Sequence, residues 1–354
     1  MGYDFGCCRL CPRDCGADRR TAGGEDRPVQ GGSGRGNQPL KSRSGKEGQA
    51  VQSRSGSEKR SSYGFCGMPQ EVRIARAALH KWEEPCISGY SDDPECRNED
   101  CPGSGAVFFS GCTLRCVYCQ NAPISAGRKG YPVSIQRLAE IFLELQEQGA
   151  CNLNLVTPGH YAPQIIEALE ISRESGFSLP VVWNSSGYES VETLKMLEGY
   201  VDIYLPDMKY RDSGISAKYS GAPDYFEKAQ AALSEMVRQQ PAAVFEGNLM
   251  KRGVIVRHLL LPGCLMDSKR VVRYLYETYG DRIWLSLMSQ YTPMPGVEKQ
   301  YPELGRRVKK NSYEKLVQYA IDLGVTNAFV QEGGAAKESF IPDFDGTGVW
   351  RVEE

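Results

Sequence analysis

The sequence predicts an α/β fold in which parallel strands form a partial (β/α)6 barrel of the TIM type with helices on the outside. From residue 105 onward, short apolar segments that suit buried strands alternate with amphipathic segments that suit helices. Repeated strand–helix units imply a parallel sheet, and their short connections suit right-handed crossovers. Six or seven strands are too few for a closed eight-stranded barrel. An open doubly wound sheet is the alternative.

The strands and helices can be placed segment by segment. Compact apolar runs predict strands at 106–110, 152–156, 180–184, 201–205, 253–261, 283–288 and 327–331. Amphipathic spacing and end signals predict helices between them, near 134–149, 163–176, 190–197, 224–239, 268–279 and 312–323. In the first of these helices, Ser134 is a suitable N-cap and Gly149 a suitable stop. A further helix is predicted upstream, at 71–82.

Composition and charge exclude several classes of protein. The chain has 354 residues, of which 41% are hydrophobic, so it can support a sizeable core. A net charge of −2 gives no general electrostatic reason to expect nucleic acid or an anionic membrane as a partner. The chain has no run of about 18 apolar residues that could span a bilayer, and its N-terminus lacks the pattern of a secretory signal. We therefore expect a cytoplasmic protein without a membrane partner.

Changes in composition divide the chain. Residues 1–22 and 63–104 form a cysteine-rich N-terminal region, 105–335 the barrel and 336–354 a C-terminal tail. Between the two cysteine-rich parts, residues 23–62 contain no aromatic side chain and only four aliphatic ones. Such a segment cannot bury enough apolar surface to offset its ordering entropy, so we predict a disordered insertion. Its basic SRSG repeats could contact RNA weakly, and a solvated linker is the simpler interpretation.

Three cysteines carry the main functional signal. Cys112, Cys116 and Cys119 have the spacing C-x3-C-x2-C and directly follow the predicted strand at 106–110. Thiolates are preferred ligands of iron–sulfur clusters, and three of them on a four-iron cluster leave one iron open to a substrate or cofactor. A chain with 13 cysteines and no secretory signal favours such ligation over disulfides. A zinc site completed by a distant residue, or buried cysteines without ligation, are the alternatives.

The segment SGCTLRCVYCQN, residues 110–121, resembles the cluster loop of the radical S-adenosylmethionine (radical SAM) superfamily, with an aromatic residue before the third cysteine. Other segments resemble proteins related to pyruvate formate-lyase activating enzyme, in particular an uncharacterised branch: CRLCPRDCG, GFCG, ARAALHKWEEPCISG, NLVTPGHYAPQI, LPVVWNSSGYE, VDIYLPDMKY, VRHLLLPG and LMSQYTP. The resemblance implies a radical SAM barrel with a [4Fe–4S] cluster on Cys112, Cys116 and Cys119. It also implies reductive cleavage of S-adenosylmethionine to a 5′-deoxyadenosyl radical that abstracts hydrogen, and an electron donor such as flavodoxin or ferredoxin.

Polar residues at strand ends are the candidates for binding S-adenosylmethionine, because barrels of this type place their sites at the C-terminal ends of strands. In strand order these candidates are Thr157, Ser185, Asp207, Lys209, Arg257 and His258. By the resemblance, Thr157 lies where the superfamily binds the methionine amino group, although Thr-Pro-Gly-His departs from the usual Gly-Gly-Glu. Lys209 is a candidate partner for the methionine carboxylate. Turn formation, helix capping or a structural salt bridge are the alternative roles.

A second group of cysteines lies near the N-terminus. Cys8, Cys11, Cys15 and Cys66 could supply four thiolates, which suit either a structural zinc ion or an auxiliary [4Fe–4S] cluster. The intervening insertion does not prevent this, because the entropy of closing a loop grows slowly with its length. Free or packed thiols are the alternative.

The molecule that receives the radical is not indicated by any motif. The first hypothesis is an activase whose substrate is the backbone glycine of a glycyl-radical protein. The second is modification of a small molecule, a peptide or RNA. The third is a non-enzymatic cysteine-rich metal-binding protein, which predicts no cleavage of S-adenosylmethionine and tolerance to the loss of Cys116.

Overall fold

A computed structural model of the chain describes residues 5–6, 71–90, 101–331 and 342–350. The predicted disordered insertion and the cysteines at positions 8, 11, 15 and 66 lie outside these residues. The strands within them are β1 (Phe5–Gly6), β2 (Val72–His80), β3 (Ser104–Phe109), β4 (Tyr131–Val133), β5 (Leu153–Val156), β6 (Val181–Ser185), β7 (Ile203–Pro206), β8 (Val244–Glu246), β9 (Leu249–Leu259), β10 (Trp284–Met288) and β11 (Ala328–Gln331). The α-helices are α1 (Pro85–Ser88), α2 (Ala122–Ser125), α3 (Ile135–Glu147), α4 (Ala162–Glu174), α5 (Val191–Met196), α6 (Ser213–Ser220), α7 (Tyr225–Gln239), α8 (Leu265–Tyr279) and α9 (Lys310–Leu323).

The strands form one largely parallel sheet. Seven neighbours run parallel in the order β11, β10, β9, β7, β6, β5 and β3. At one end β2 pairs antiparallel with β3 and then with β4, and at the other end β1 pairs antiparallel with β11. Over the described ranges no pairing joins β4 to β1, so the sheet does not close. The predicted partial α/β barrel is confirmed.

Successive residues of the strands face two separate apolar layers, as the alternation of side chains requires. Val181 belongs to the large layer between the sheet and the outer helices, whereas Val182 packs with Ile203 in a smaller cluster inside the barrel. Cys86 and Ile87 of α1 join this inner cluster. The short segment around α1 therefore fills the interior, and the residues just before it are held inside the barrel.

Local sequence signals set the ends of the outer helices. The Oγ of Ser134 accepts a hydrogen bond from the Arg137 N–H at 3.0 Å and caps α3, as predicted. Gly149 follows the end of that helix with a φ of +83°, a conformation that glycine adopts without strain. In the same way Ser190 caps α5 by accepting from the Thr193 N–H.

The predicted helix at 71–82 is wrong, because Val72–His80 forms β2. The alanine-rich stretch VRIARAALH has a good intrinsic helix propensity. In the fold, β2 pairs with β3 from Ile74 to His80 and with β4 on its other edge. Pairing on both edges and burial of one face outweigh the local propensity.

The cysteines of the described residues fall into two groups. Cys101 and Cys151 form a disulfide that joins the segments preceding β3 and β5, with their Cα atoms 5.7 Å apart. The free thiols belong to Cys86, Cys112, Cys116, Cys119 and Cys264. Helices long and apolar enough to cross a bilayer are absent from the described part of the chain.

Candidate functional site

The loop that carries Cys112, Cys116 and Cys119 begins directly after β3, and hydrogen bonds hold it at its start and in its middle. The Gly111 N–H donates to the Ile124 carbonyl at 2.9 Å, which ties the start of the loop to α2. In the middle of the loop, the Val117 N–H donates to the Tyr219 carbonyl of α6 at 2.9 Å. These bonds present the cysteine side chains at the C-terminal edge of the parallel sheet.

Each cysteine sulfur of the loop has a polar neighbour. The Leu114 N–H donates to the Sγ of Cys112 at 3.4 Å. The Sγ of Cys116 lies 3.0 Å from the Oγ of Ser220, and the Sγ of Cys119 lies 3.2 Å from the Oγ of Ser125. Donors of this kind stabilise thiolates and tune the reduction potential of iron–sulfur clusters.

A buried chain of hydroxyls supports the middle cysteine. The Tyr118 and Tyr210 hydroxyls are 2.5 Å apart, and the Tyr210 hydroxyl is 2.7 Å from the Oγ of Ser220. All three side chains are buried. Because Ser220 also contacts Cys116, the chain fixes the serine hydroxyl beside the sulfur.

The thiols are poorly suited to ionise without a positive group between them. Burial raises the pKa of Cys112 to about 12, and the neighbouring Cys116 contributes to the rise. Burial also raises the pKa of Cys116. Cationic iron would supply the missing charge and hold the sulfurs as thiolates.

The donor set fits a four-iron cluster. Among the described residues, no three Cys, His, Asp or Glu side chains converge as they would around a single metal ion. A cubane does not need such convergence, because each cysteine binds a different iron. Three free thiols with polar neighbours on one loop are what a cluster with one open iron requires.

A cavity of about 260 Å³ adjoins the cysteine loop at the C-terminal ends of the strands. It brings together the three cysteines with five of the six predicted cofactor-binding residues: Thr157, Ser185, Asp207, Lys209 and Arg257. Its remaining wall is partly apolar and includes Phe108, Leu259 and Met288. The strand-by-strand placement thus gathers these polar residues around one space beside the cysteines.

Asp207 and Lys209 form an ion pair in this cavity. Burial opposes the charge of Lys209, but Asp207 outweighs it and raises the pKa of the lysine well above its usual value. The turn beneath them depends on Gly187, which has a φ of +73°. A Cβ there would lie 2.1 Å from the Asp207 carbonyl oxygen, so only glycine permits this close approach.

Arg257 is held by two carboxylates that the sequence analysis did not single out. Its Nε donates to the Oε1 of Glu84 at 2.8 Å, its Nη2 donates to the Oε2 of Glu84 at 2.6 Å, and it also pairs with Glu83. Glu84 is completely buried and Glu83 is 6% exposed. Asn154 donates to the Oε1 of Glu83 at 2.9 Å. The adjacent acids in WEEP, just before the apolar α1, were the available signal.

His258 is not among the residues that line the cavity. Its Nδ1 is 2.7 Å from the Met208 carbonyl, and its Nε2 is buried without a hydrogen-bond partner. Burial lowers the pKa of His258 to about 4, so the ring is neutral at physiological pH. The ring supports the backbone between Asp207 and Lys209 instead of contacting the cavity.

A side cavity of about 190 Å³ shares Cys112, Thr157 and Ser185 with the main one. Thr157 has a φ of +59°, which is costly for a β-branched residue. Glu189, which the sequence analysis also missed, lines the same side cavity. The only sequence signal for it was its position after NSSGY at the end of β6.

The fold and the loop define a class of protein: an open parallel α/β barrel with a three-thiol cluster loop after its first parallel strand. The Radical SAM superfamily profile matches residues 106–236, from β3 through most of α7. This stretch, which is less than half of the chain, is similar to the radical SAM superfamily. Members of this superfamily are enzymes that use a [4Fe–4S] cluster and S-adenosylmethionine for radical chemistry.

A curated relative is the uncharacterized protein MJ0674 of Methanocaldococcus jannaschii. It is 27% identical over 225 residues, which cover 61% of this chain and 62% of the relative. The match therefore spans less than two thirds of that protein's length.

Several solved structures are partly similar to the chain. The anSMEcpe structure with bound AdoMet and a peptide is 14% identical, with a TM-score of 0.45, covering 60% of this chain and 57% of that chain. A domain of pyruvate-formate lyase-activating enzyme from Bacteroides vulgatus is 15% identical, with a TM-score of 0.36, covering 52% of this chain and 99% of that chain. SuiB from Streptococcus suis is 12% identical, with a TM-score of 0.42, covering 64% and 47%.

Proposed function

We propose that the chain holds its cluster on Cys112, Cys116 and Cys119 and reductively cleaves S-adenosylmethionine for hydrogen abstraction. One observation carries the proposal. The three free thiols of the loop line a single cavity with the polar side chains that end four of the parallel strands. A loop used only for structure would not need to share a cavity with these side chains.

When bound, the reduced cluster supplies the electron that converts S-adenosylmethionine to methionine and a 5′-deoxyadenosyl radical. The residues of the chain bind, orient and shield. Lys209 is the proposed partner of the methionine carboxylate, with Asp207 holding the ammonium in place. Thr157 and Ser185 present hydroxyls and backbone groups beside Cys112.

The apolar part of the cavity protects the reaction. Phe108, Leu259 and Met288 supply apolar parts of its wall. A reactive carbon radical abstracts hydrogen from whatever lies near it, so apolar wall residues that keep water away would limit side reactions. Arg257 also lines this space, with its charge already matched by Glu83 and Glu84.

The proposed hydrogen donor is the backbone glycine of a glycyl-radical protein, which would make the chain an activase. The resemblance of its segments to proteins related to pyruvate formate-lyase activating enzyme supports this assignment. The proposed electron donor is a flavodoxin or a ferredoxin. Modification of a small molecule, a peptide or RNA remains the alternative for the same radical chemistry.

An anaerobic assay tests the core of the proposal. The protein is loaded with iron and sulfide, reduced with dithionite and supplied with S-adenosylmethionine, and 5′-deoxyadenosine is quantified. We expect product from the wild type and from Cys264→Ala, whose free thiol lies outside the cluster loop. Cys116→Ala should give none, because the cluster loses one of its three protein ligands. A loaded wild type that forms no 5′-deoxyadenosine would refute the proposal, and turnover by Cys116→Ala would reassign the ligands.

The activase assignment needs its own experiment. The reduced enzyme is mixed with a candidate glycyl-radical protein and frozen for electron paramagnetic resonance. A glycyl doublet that depends on S-adenosylmethionine and on Cys116 supports the activase. Abundant 5′-deoxyadenosine with no glycyl signal for any such partner assigns the chain to the alternative substrates.

A further inference from the structure

A third cavity, of about 180 Å³, follows the end of β9 and has a basic lining. It shares no lining residue with the two cavities beside the cysteine loop. Among the described residues that line it, none is acidic. Its apolar lining includes Leu260, Leu261, Pro262 and Leu265, and its cationic side chains are Arg306, Arg307 and Lys309.

The two segments that form this basic cavity are both tied to the end of β10. The Leu260 N–H donates to the Met288 carbonyl at 2.9 Å. The Tyr313 hydroxyl, in the first turn of α9, donates to the Leu287 carbonyl at 2.6 Å. Leu287 and Met288 are the last two residues of β10, so the basic cavity lies at the C-terminal edge of the sheet, where the cysteine loop also lies.

The positive charge of this cavity is concentrated and largely unmatched. Arg306, Arg307 and Lys309 lie within four consecutive positions and are all exposed. Lys310 pairs with Glu314, but within the described ranges neither Arg306 nor Lys309 forms an ion pair. Like charges that are held together around a concave space produce a positive potential, which favours an anion there.

The donors of the cavity suit a phosphate group better than a single carboxylate. The guanidinium group of arginine matches phosphate oxygens with two parallel hydrogen bonds, while Lys309 adds a point charge and Ser312 a hydroxyl donor. A phosphate monoester carries about −1.5 to −2 charges and three acceptor oxygens, so it can use several cations at once. Pockets that bury a drug-sized ligand measure about 300–1,000 Å³, so this smaller cavity suits one compact group.

We propose that the basic cavity after β9 binds a phosphate group. The group belongs either to a free phosphate ion or to a phosphorylated small molecule, whose carbon atoms would meet the apolar lining at Leu261 and Pro262. The inference goes beyond the proposed function and does not depend on it, because this cavity is separate from the one that contains the cysteines.

Equilibrium dialysis of the full chain against radiolabelled inorganic phosphate, at fixed pH and ionic strength, measures the binding. The double variant Arg306→Gln, Lys309→Gln removes two cations from the lining. The matched control is Lys299→Gln, Lys315→Gln, which removes the same charge at two exposed positions that do not line the cavity. Circular dichroism establishes that each variant is folded.

We expect saturable binding of phosphate by the wild type. The Arg306→Gln, Lys309→Gln variant should bind about tenfold more weakly, the size of two exposed charge pairs, and the control variant should stay within about twofold of the wild type. Acetate at the same ionic strength should not displace the label.

Competition by unlabelled ligands separates the two sources of the phosphate group. If phenyl phosphate displaces the label at a lower concentration than inorganic phosphate does, the ligand is a phosphorylated molecule whose carbon atoms use the apolar lining. If inorganic phosphate is the better competitor, the ligand is the free ion. Both results support a phosphate site.

Three results would overturn the inference. The first is a wild type that shows no saturable binding of phosphate. The second is a folded Arg306→Gln, Lys309→Gln variant with wild-type affinity, which would place the phosphate elsewhere, at the cluster or at Lys209. The third is displacement of the label by acetate as effectively as by phosphate, a result that needs no variant. None of these measurements involves cleavage of S-adenosylmethionine, so each leaves the proposed function to its own assay.

Discussion

Replacing Arg257 by methionine should destabilise the chain severely. The Arg257 side chain is 14% exposed, and its guanidinium pairs with Glu84, which is completely buried, and with Glu83, which is also buried. Arg257→Met keeps most of the side-chain volume but leaves two carboxylates inside the barrel without a counter-charge. Removing one partner of a buried ion pair typically costs about 3–5 kcal/mol. We expect a loss of that size in the free energy of unfolding at neutral pH.

The stability difference between Arg257→Met and the wild type should depend on pH in a defined direction. Burial acts to raise the pKa of Glu84, but Arg257 outweighs it, so the pKa of Glu84 is lowered in the folded chain. The stability from such a carboxylate is present above its unfolded pKa and is lost as the pH falls through the folded pKa. In Arg257→Met the carboxyls can be protonated instead of remaining charged. The difference from the wild type should therefore be largest at neutral pH and should shrink as the pH falls toward the ordinary carboxyl pKa.

Urea unfolding followed by circular dichroism measures the effect. Arg238→Met is the matched control, because Arg238 also pairs with two glutamates but lies at the surface, where the pairs contribute little. The triple variant Arg257→Met, Glu83→Gln, Glu84→Gln should recover much of the stability, since it removes the buried charges as well. A loss below about 1 kcal/mol in the single variant would refute the reasoning. No recovery in the triple variant would show that lost packing, and not charge, causes the effect.

Two further predictions concern the loop and the turn beside it. Ser220→Ala removes the hydroxyl that lies 3.0 Å from the Sγ of Cys116. The loss of one net hydrogen bond of about 1 kcal/mol should lower the reduction potential of the cluster by about 40 mV. A redox titration followed by electron paramagnetic resonance measures the potential, with Ser216→Ala as the control, and an unchanged or higher potential in Ser220→Ala would contradict the prediction. Thr157→Gly relieves a φ of +59° and should raise the free energy of unfolding by about 1 kcal/mol. A destabilised Thr157→Gly would mean that contacts of the threonine outweigh its backbone strain.

The barrel could be predicted because its signals are local. Each parallel strand is a short apolar run, and each outer helix has an amphipathic face, in α3 with Ser134 as its cap. Each of these elements can therefore be predicted from its own segment of the sequence. β2 could not be predicted in this way, because its alanine-rich sequence favours a helix. Only its neighbours β3 and β4, which lie further along the chain, make it a strand.

In the candidate site, too, local sequence signals predicted some residues and contacts between distant segments decided the others. The spacing of the cysteines and the rule that sites lie at strand ends were enough to indicate Asp207 and Lys209, which meet the cysteines in one cavity. The partners of Arg257 were missed because Glu83 and Glu84 lie more than 170 residues away in sequence, and WEEP reads as a loop. Arg257 was predicted to contact the cofactor, and it does line the cavity, but no sequence pattern showed that two acids already neutralise it.

Ion pairs account for three of the four acids around this site. Glu83 and Glu84 are satisfied by Arg257, so the chain itself accounts for their burial. Asp207 is satisfied by Lys209 at the strand end, where the pair can also meet a zwitterion. Among the described residues Glu189 forms no ion pair, and burial raises its pKa to about 7. Lys209 would complement the carboxylate of an amino acid in the cavity that also contains the three cysteines of the loop.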